Sequence, residues 1–230
     1  MQIVENKRFE NLADHTGAAK ITGVECRSCT FCNCVLTSPA VTQRPFIGNV
    51  RLIDCVDIHS HLAKAVMDEI VVDGFRTKDL TILSACAIRH VTLKGKIGKL
   101  KVTDRLPGIG NPVQLQEGFN AVNMAFYRGI DWALDISQAE LEDFSLSGIP
   151  LSLIRRDPET QVVLPADVAV SRAWRQVPEF AKVWGPRVEA LLKIGRGPEL
   201  LLVAPKLHPD FKMEVDALNS LRRAGLIPAS

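Results

Sequence analysis

Residues 134–151 read Leu-Asp-Ile-Ser-Gln-Ala-Glu-Leu-Glu-Asp-Phe-Ser-Leu-Ser-Gly-Ile-Pro-Leu. In this stretch an apolar residue recurs every five positions, and a second apolar residue stands two positions before each one. An α-helix requires apolar residues at a period near 3.6, and a strand requires a period of two. A period of five therefore predicts short strand segments, in which two inward side chains flank one outward side chain and a corner follows. The positions are Ile136, Leu141, Leu146 and Leu151, preceded by Leu134, Ala139, Phe144 and Ile149.

The same period occurs near the start of the chain, in residues 19–36. The residues between its apolar positions are mostly polar or small, which suits corners. We expect all sixteen apolar positions of the two blocks to be buried. In the first block they are Ile21, Cys26, Phe31 and Leu36, preceded by Ala19, Val24, Cys29 and Cys34.

The stretch 134–143 resembles the pentapeptide-repeat family, whose consensus is roughly Ala-(Asp/Asn)-Leu-x-x. The resemblance covers eight repeats in the two blocks, and the Asp or Asn of the second position is mostly missing. It implies a right-handed parallel β-helix in which four repeats form one square coil. Members of the family include inhibitors that mimic DNA with strongly acidic walls, which are not expected here because local acidity is limited to Asp131, Asp135, Glu140, Glu142 and Asp143. Solenoids present long regular faces suited to partners, which indicates a scaffold or binding role.

Between the two blocks, pairs of apolar residues recur once per coil. The pairs that begin at Val50, Ile70 and Val91 follow one another at spacings of 20 and 21 residues. A coil cannot bury its inner face alone, so several coils must stack. We therefore predict continuous coils over residues 19–104, with resumed coils over residues 132–153.

The predicted fold is mainly β, a right-handed parallel β-helix with an inserted short helix and a C-terminal α/β tail. The β-helix occupies residues 1–153, with a helical insertion near 105–131 that begins as a loop containing Gly110 and contains a helix at 113–127. Residues 154–230 form a small α/β cap or subdomain, in which Gly195 ends one helix. An apolar run occupies 162–164, a buried strand is expected at 200–203, and helices are expected at 167–176, after Pro186 and after Pro209.

Composition sets broad limits on function. The 230 residues are 47% apolar and 23% charged. Their net charge is only +2, so the overall charge does not favour a nucleic-acid partner. The sequence shows no signal peptide and no apolar run long enough to span a membrane, which predicts a cytoplasmic protein without a membrane partner. In that compartment the six cysteines are expected as thiols or metal ligands.

Four of the cysteines lie within nine residues, at positions 26, 29, 32 and 34. This spacing admits a zinc or iron–sulfur site. The five-residue period favours packing instead, because Cys26, Cys29 and Cys34 fall on inward positions where small apolar residues belong. Only Cys32 is expected to point outward and to react.

The segment 56–62 carries a candidate metal site. Its Asp57, His59 and His61 resemble the Asp-x-His-x-His motif on the first strand of metal-dependent amidohydrolases and related nucleases, in which both histidines bind a metal. Alternate residues of a strand share a face, so the two imidazoles could hold one divalent ion. The alternative is an outward polar row on a coil, with Val56 and Ile58 inward. A barrel of the amidohydrolase kind needs more chain than follows the motif.

A second candidate site is the basic segment 94–101, which carries four lysines. If Lys94, Lys96, Lys99 and Lys101 lie on one wall, they could bind an anionic partner or a nucleic acid. No aromatic residues alternate with them, so the alternative of a solvated face that blocks strand pairing is preferred.

The leading functional hypothesis is a non-enzymatic scaffold or protein-binding module that needs no cofactor. Its partner is expected to be another protein, homo-oligomer formation is a further expectation, and a nucleic-acid partner is not expected. The two alternatives are a metal-dependent hydrolase that uses Asp57, His59 and His61, and an anion-binding or nucleic-acid-binding protein that uses the lysines.

Overall fold

A computed structural model of the chain describes residues 1–108, 112–194 and 199–228. Gly110 and Gly195, for which the sequence predicts a loop and a helix end, lie outside the described residues. The chain divides into two compact units, Met1–Arg155 and Arg156–Ser230.

The first unit is built on a parallel sheet of thirteen strands that curls strongly, as half of a barrel does. Every strand pair in it is parallel. The prediction of a mainly β protein with parallel strands is therefore confirmed. The strands are β1 (Gln2–Glu5), β2 (Arg8–Glu10), β3 (Ala13–Asp14), β4 (Lys20–Arg27), β5 (Thr30–Cys32), β6 (Val35–Leu36), β7 (Phe46–Ile58), β8 (His61–Ala63), β9 (Val66–Thr77), β10 (Thr81–Ser84), β11 (Ala87–Thr103), β12 (Leu134–Leu146) and β13 (Ile154–Arg155).

The strand register shows how many residues separate paired positions on neighbouring strands. Val24 pairs with Val50, Val50 with Ile70, Ile70 with Val91, and Val91 with Leu134. The two middle steps span the 20 and 21 residues that the sequence predicts. The first step is longer because the segment 37–45 lies between β6 and β7, and the last step contains the helix α1 (Val113–Tyr127). This helix occupies the residues predicted for it.

Residues with a left-handed backbone recur every five positions in the middle of the sheet. From position 49 to position 69 each fifth residue has a φ between 50° and 60°, although none of them is glycine. A left-handed residue turns the chain between two extended segments, so this spacing gives the five-residue period a backbone cause. The residues are Asn49, Asp54, His59, Lys64 and Glu69, and Gly74 continues the series with a φ of 72°.

The two blocks of five-residue repeats differ in how deeply their apolar positions are buried. In the block 134–151, six of the eight predicted positions are buried, and Leu146 and Leu151 are partly buried. In the block 19–36 only Cys26 and Cys29 are buried, and Ile21 is 37% exposed, so the prediction is wrong there. The cause is position in the sheet: strands β1, β2 and β3, which precede this block, each have a strand partner on one side only among the described residues.

The second unit is a small α/β unit with its own core. Its two strands, β14 (Gln161–Leu164) and β15 (Leu200–Val203), are antiparallel. Trp174, Phe180 and Trp184 lie in the core with apolar residues from both strands and from the last helix. The helices are α2 (Ala166–Ser171), a 3₁₀ turn (Ala173–Gln176), α3 (Pro178–Val183), α4 (Gly185–Ile194) and α5 (Phe211–Arg223). The helix α3 was not predicted.

Candidate functional site

A row of partly exposed side chains crosses five neighbouring strands of the first unit. Residues paired in register on parallel strands share a face of the sheet, and strands are about 4.8 Å apart. Lys101 points away from the sheet interior, because its neighbours Leu100 and Val102 are buried. The row, called here the outer row, consists of Val35 on β6, His61 on β8, Ile82 on β10, Lys101 on β11 and Ser145 on β12.

The outer row combines one residue from each of the two candidate sites that the sequence suggested. His61 comes from the proposed metal motif and Lys101 from the basic segment, and Ile82 lies between them. Burial lowers the pKa of His61, and the nearby charge of Lys64 lowers it further. The row contains no acidic side chain, and Lys101 makes no ion pair within the described part of the chain. The row therefore offers apolar area next to an unpaired cation.

Asp57 belongs to the interior and lies outside the outer row. Its side chain is buried, with 4% exposed, and Phe31 is its in-register neighbour on β5. Its carboxylate accepts hydrogen bonds from Thr81 Oγ1 at 2.6 Å and from the backbone N–H of Ser60 at 3.2 Å. The expectation that Val56 and Ile58 point inward while Asp57 points outward is wrong, since both of these apolar residues are only partly buried.

The proposed metal motif does not lie on one continuous strand. Strand β7 ends at Ile58 and β8 begins at His61, and His59 between them has a φ of 58°. This left-handed residue breaks the alternation that would place the three side chains on one face. The imidazole Nδ1 of His59 lies 3.1 Å from Asp79 Oδ2, on the exposed surface. In residues 1–108, 112–194 and 199–228, no group of three or more His, Cys, Asp or Glu side chains could hold a metal ion.

The cysteines of the first block pack against the sheet interior as thiols. Cys26 and Cys29 form an apolar cluster with Cys55 and with partly buried residues that include Phe31. The Cys29 thiol donates to the carbonyl oxygens of Val4 and Arg27, and burial raises the pKa of Cys26 to about 12. These contacts favour packing over metal binding for this cluster.

Cys32 is buried, with 5% exposed, so the prediction that it points into solvent and reacts is wrong. Its in-register neighbours, Glu10 and Ile58, carry longer side chains. A short side chain between two long ones is covered even on the outer side of a strand. Cys34, predicted as buried, is the partly exposed member of the cluster.

The four lysines of the basic segment have different surroundings. Lys94 Nζ lies 3.0 Å from Asp73 Oδ2, and Lys99 Nζ lies 3.3 Å from Glu142 Oε1. Lys96 is exposed and, like Lys101, has no ion pair among the described residues. Gly95, with a φ of 65°, separates Lys94 from Lys96. The acidic residues of neighbouring strands therefore neutralise half of the proposed basic wall.

A partly buried arginine joins α1 to the sheet, and no pattern in the sequence indicates this role. Arg44 comes from the segment 37–45, and its guanidinium carbon lies 5.4 Å from the ring centroid of Phe119 on α1. Burial lowers the pKa of Arg44. Its guanidinium donates to four acceptors at 2.6–3.0 Å, namely the carbonyl oxygens of Lys64, Ala65 and Ala85 and the side-chain oxygen of Asn123.

Two further contacts fix α1 on the sheet. The Tyr127 hydroxyl accepts a hydrogen bond from the backbone N–H of Ile88 at 3.3 Å and donates to the carbonyl oxygen of Cys86 at 3.5 Å. Lys64 Nζ lies 5.6 Å from the ring centroid of Phe119 on α1, and it donates to the carbonyl oxygen of Ser38 at 2.7 Å. The buried polar groups of this region thus bind backbone and one another, which is a structural role.

No family model, no curated protein and no solved structure matches this chain. Within the described residues, no helix is long and apolar enough to cross a membrane.

Proposed function

We propose that this chain is a non-enzymatic, protein-binding scaffold, and that its first unit is a right-handed solenoid of the pentapeptide-repeat type. Two observations support the solenoid: the five-residue spacing of left-handed residues and the 20- and 21-residue steps between paired strands. Solenoids present long regular faces on which partners bind. The proposed binding surface is the outer row.

The proposal rests on the surroundings of Lys101. Lys94 and Lys99 have carboxylate partners within 3.3 Å, whereas Lys101 stands unpaired in a row that contains two aliphatic side chains. An unpaired cation beside Ile82, with Val35 two strands further along the row, is complementary to a protein segment with acidic and apolar side chains. The row spans five strands, about 19 Å at the usual strand spacing, which is the length of a short peptide segment.

The catalytic alternatives receive less support from the same geometry. Asp57 is bound to Thr81 and to backbone inside the sheet, and His59 lies beside Asp79. The hydrolase hypothesis would need these side chains to converge on one ion. It stays a prediction that metal analysis of the purified protein can test.

A site-specific crosslink followed by a binding measurement tests the proposed function. A photoreactive amino acid replaces Ser145 in the row, or Glu179 in the second unit as the control position. We expect one protein to be crosslinked from position 145 and not from position 179. That protein is then purified, and its affinity is measured for the wild type and for Lys101→Glu.

The charge reversal should weaken binding at least about tenfold, because it places a carboxylate where the partner presents acidic groups. The matched control is Lys96→Glu, which reverses an equally unpaired lysine outside the row and should leave the affinity within about threefold. Equal effects of the two variants would contradict the row as the binding surface. Binding to random-sequence duplex DNA with a steep salt dependence would favour the nucleic-acid alternative instead.

A further inference from the structure

The exposed face of α1 is unusually apolar for a helix on a protein surface. The face opposite a helix's buried side normally carries charged and polar residues. The helix α1 contains one charged residue, Glu117, in its fifteen positions. Its buried side holds Phe119, Asn123 and Tyr127. The outward side shows Val113, which is 65% exposed, and Met124, which is 46% exposed, together with Ala121 and Ala125.

Two opposite charges flank this apolar surface. Glu117 and Arg128 are both exposed, and neither makes an ion pair within the described part of the chain. They are eleven positions apart, which is close to three helical turns, so they lie on the same side of the helix. Ala121 and Met124 lie between them on that side. The order along this face is therefore acidic, apolar, basic.

This order is complementary to itself when the helix is reversed. In an antiparallel pair of α1 helices related by a two-fold axis between Ala121 and Met124, Glu117 of each copy would lie opposite Arg128 of the other. A two-fold interface needs such a self-complementary surface. The small side chains of Ala121 and Ala125 permit the close approach, about 8–10 Å between axes, that helix packing requires.

We propose that two copies of this chain associate through the exposed faces of their α1 helices, packed antiparallel. The contact is limited to one fifteen-residue helix, about 22 Å long. It therefore falls at the low end of interface sizes, which corresponds to a weak dimer that forms at micromolar or higher concentration. The proposal uses a surface other than the outer row and does not depend on the proposed function.

Charge exchange tests the proposed dimer. Sedimentation equilibrium of the full chain over roughly 5–500 µM should show a concentration-dependent dimer. Glu117→Arg and Arg128→Glu should each weaken dimerisation at least about tenfold, because each places like charges opposite one another twice. The double variant restores both pairs and should return the dissociation constant to within about threefold of the wild type.

The control is Glu179→Arg in the second unit, an exposed charge reversal that should leave dimerisation unchanged. Circular dichroism of every variant checks that the fold is retained. A wild type that stays monomeric over the whole range would overturn the proposal. A dimer that either single variant leaves intact, or that the double variant does not restore, would overturn it as well.

Discussion

The fold holds residues at the corners of the sheet in the left-handed backbone conformation, which costs free energy at each residue other than glycine. Gly and Asn adopt this backbone readily, but Glu69 and Ala85 have φ values of 52° and no such preference. Stacking of strands on both sides compensates for the strain. Substitution of such a residue by glycine should therefore increase the free energy of unfolding.

Glu69→Gly should stabilise the protein by about 0.5–1 kcal/mol, because glycine removes the strain of a left-handed side chain. Glu69 is exposed, so the substitution leaves no cavity. The measurement is urea unfolding followed by circular dichroism. The matched control is Glu140→Gly on β12, where the backbone is not left-handed and the change should destabilise by a similar amount. Two changes of the same sign would contradict this account of the corners.

Thiol reactivity follows from burial of the cysteines. Of the six, Cys34 is partly exposed and the others are buried. Burial also raises the pKa of Cys86 to about 11, which leaves little thiolate at neutral pH. We expect one fast-reacting thiol per native chain with Ellman's reagent. Cys34→Ser should abolish this fast phase and Cys32→Ser should preserve it. The opposite pattern would restore the expectation drawn from the sequence.

At the scale of elements, secondary structure is predicted best in segments where no inserted residues interrupt the five-residue period. The block 134–151 shows its five-residue period because β12 and the segment after it follow the period without interruption. The helix α1 was also predictable, because Leu115, Phe119 and Phe126 follow helical spacing. The segment 37–45 lengthens one step of the sheet to 26 residues, which no apolar period reveals.

The contacts of Arg44 could not be predicted for a physical reason. Its acceptors are mainly backbone carbonyl oxygens, which have no signature in the sequence. The same holds for the outer row, which joins His61 to Lys101 only through the strand register. Sequence patterns identify faces of single elements, whereas these features depend on pairing between elements.

Arg44→Met should destabilise the first unit by about 2–4 kcal/mol, because it leaves several buried acceptors without a donor. Urea unfolding gives the free energy. The matched control is Arg51→Met, which removes an exposed guanidinium 3.5 Å from Glu25 and should cost less than about 1 kcal/mol. A cost for Arg44→Met no larger than that of the control would show that α1 is held mainly by its apolar contacts with Phe119.

At the scale of the whole molecule, the two units differ in how their cores are built. The first unit builds its core on a parallel sheet in which paired strands are far apart in the sequence. The second buries two tryptophans among short helices and one antiparallel strand pair. Because each unit has its own core, each meets the main requirement for independent folding.

We therefore predict that residues 156–230, produced as a fragment, fold without the first unit. Trp174 and Trp184 are buried in its core, so the fragment should show blue-shifted tryptophan fluorescence and a cooperative thermal transition. Trp184→Ala should abolish that transition, because removing a buried tryptophan costs about 3–5 kcal/mol, a large part of the stability of a small domain. Arg187→Ala, which removes the cation that lies over the Trp184 ring, is the control and should retain the transition. A fragment that shows fluorescence of exposed tryptophan and no cooperative unfolding would mean that the second unit needs the first in order to fold.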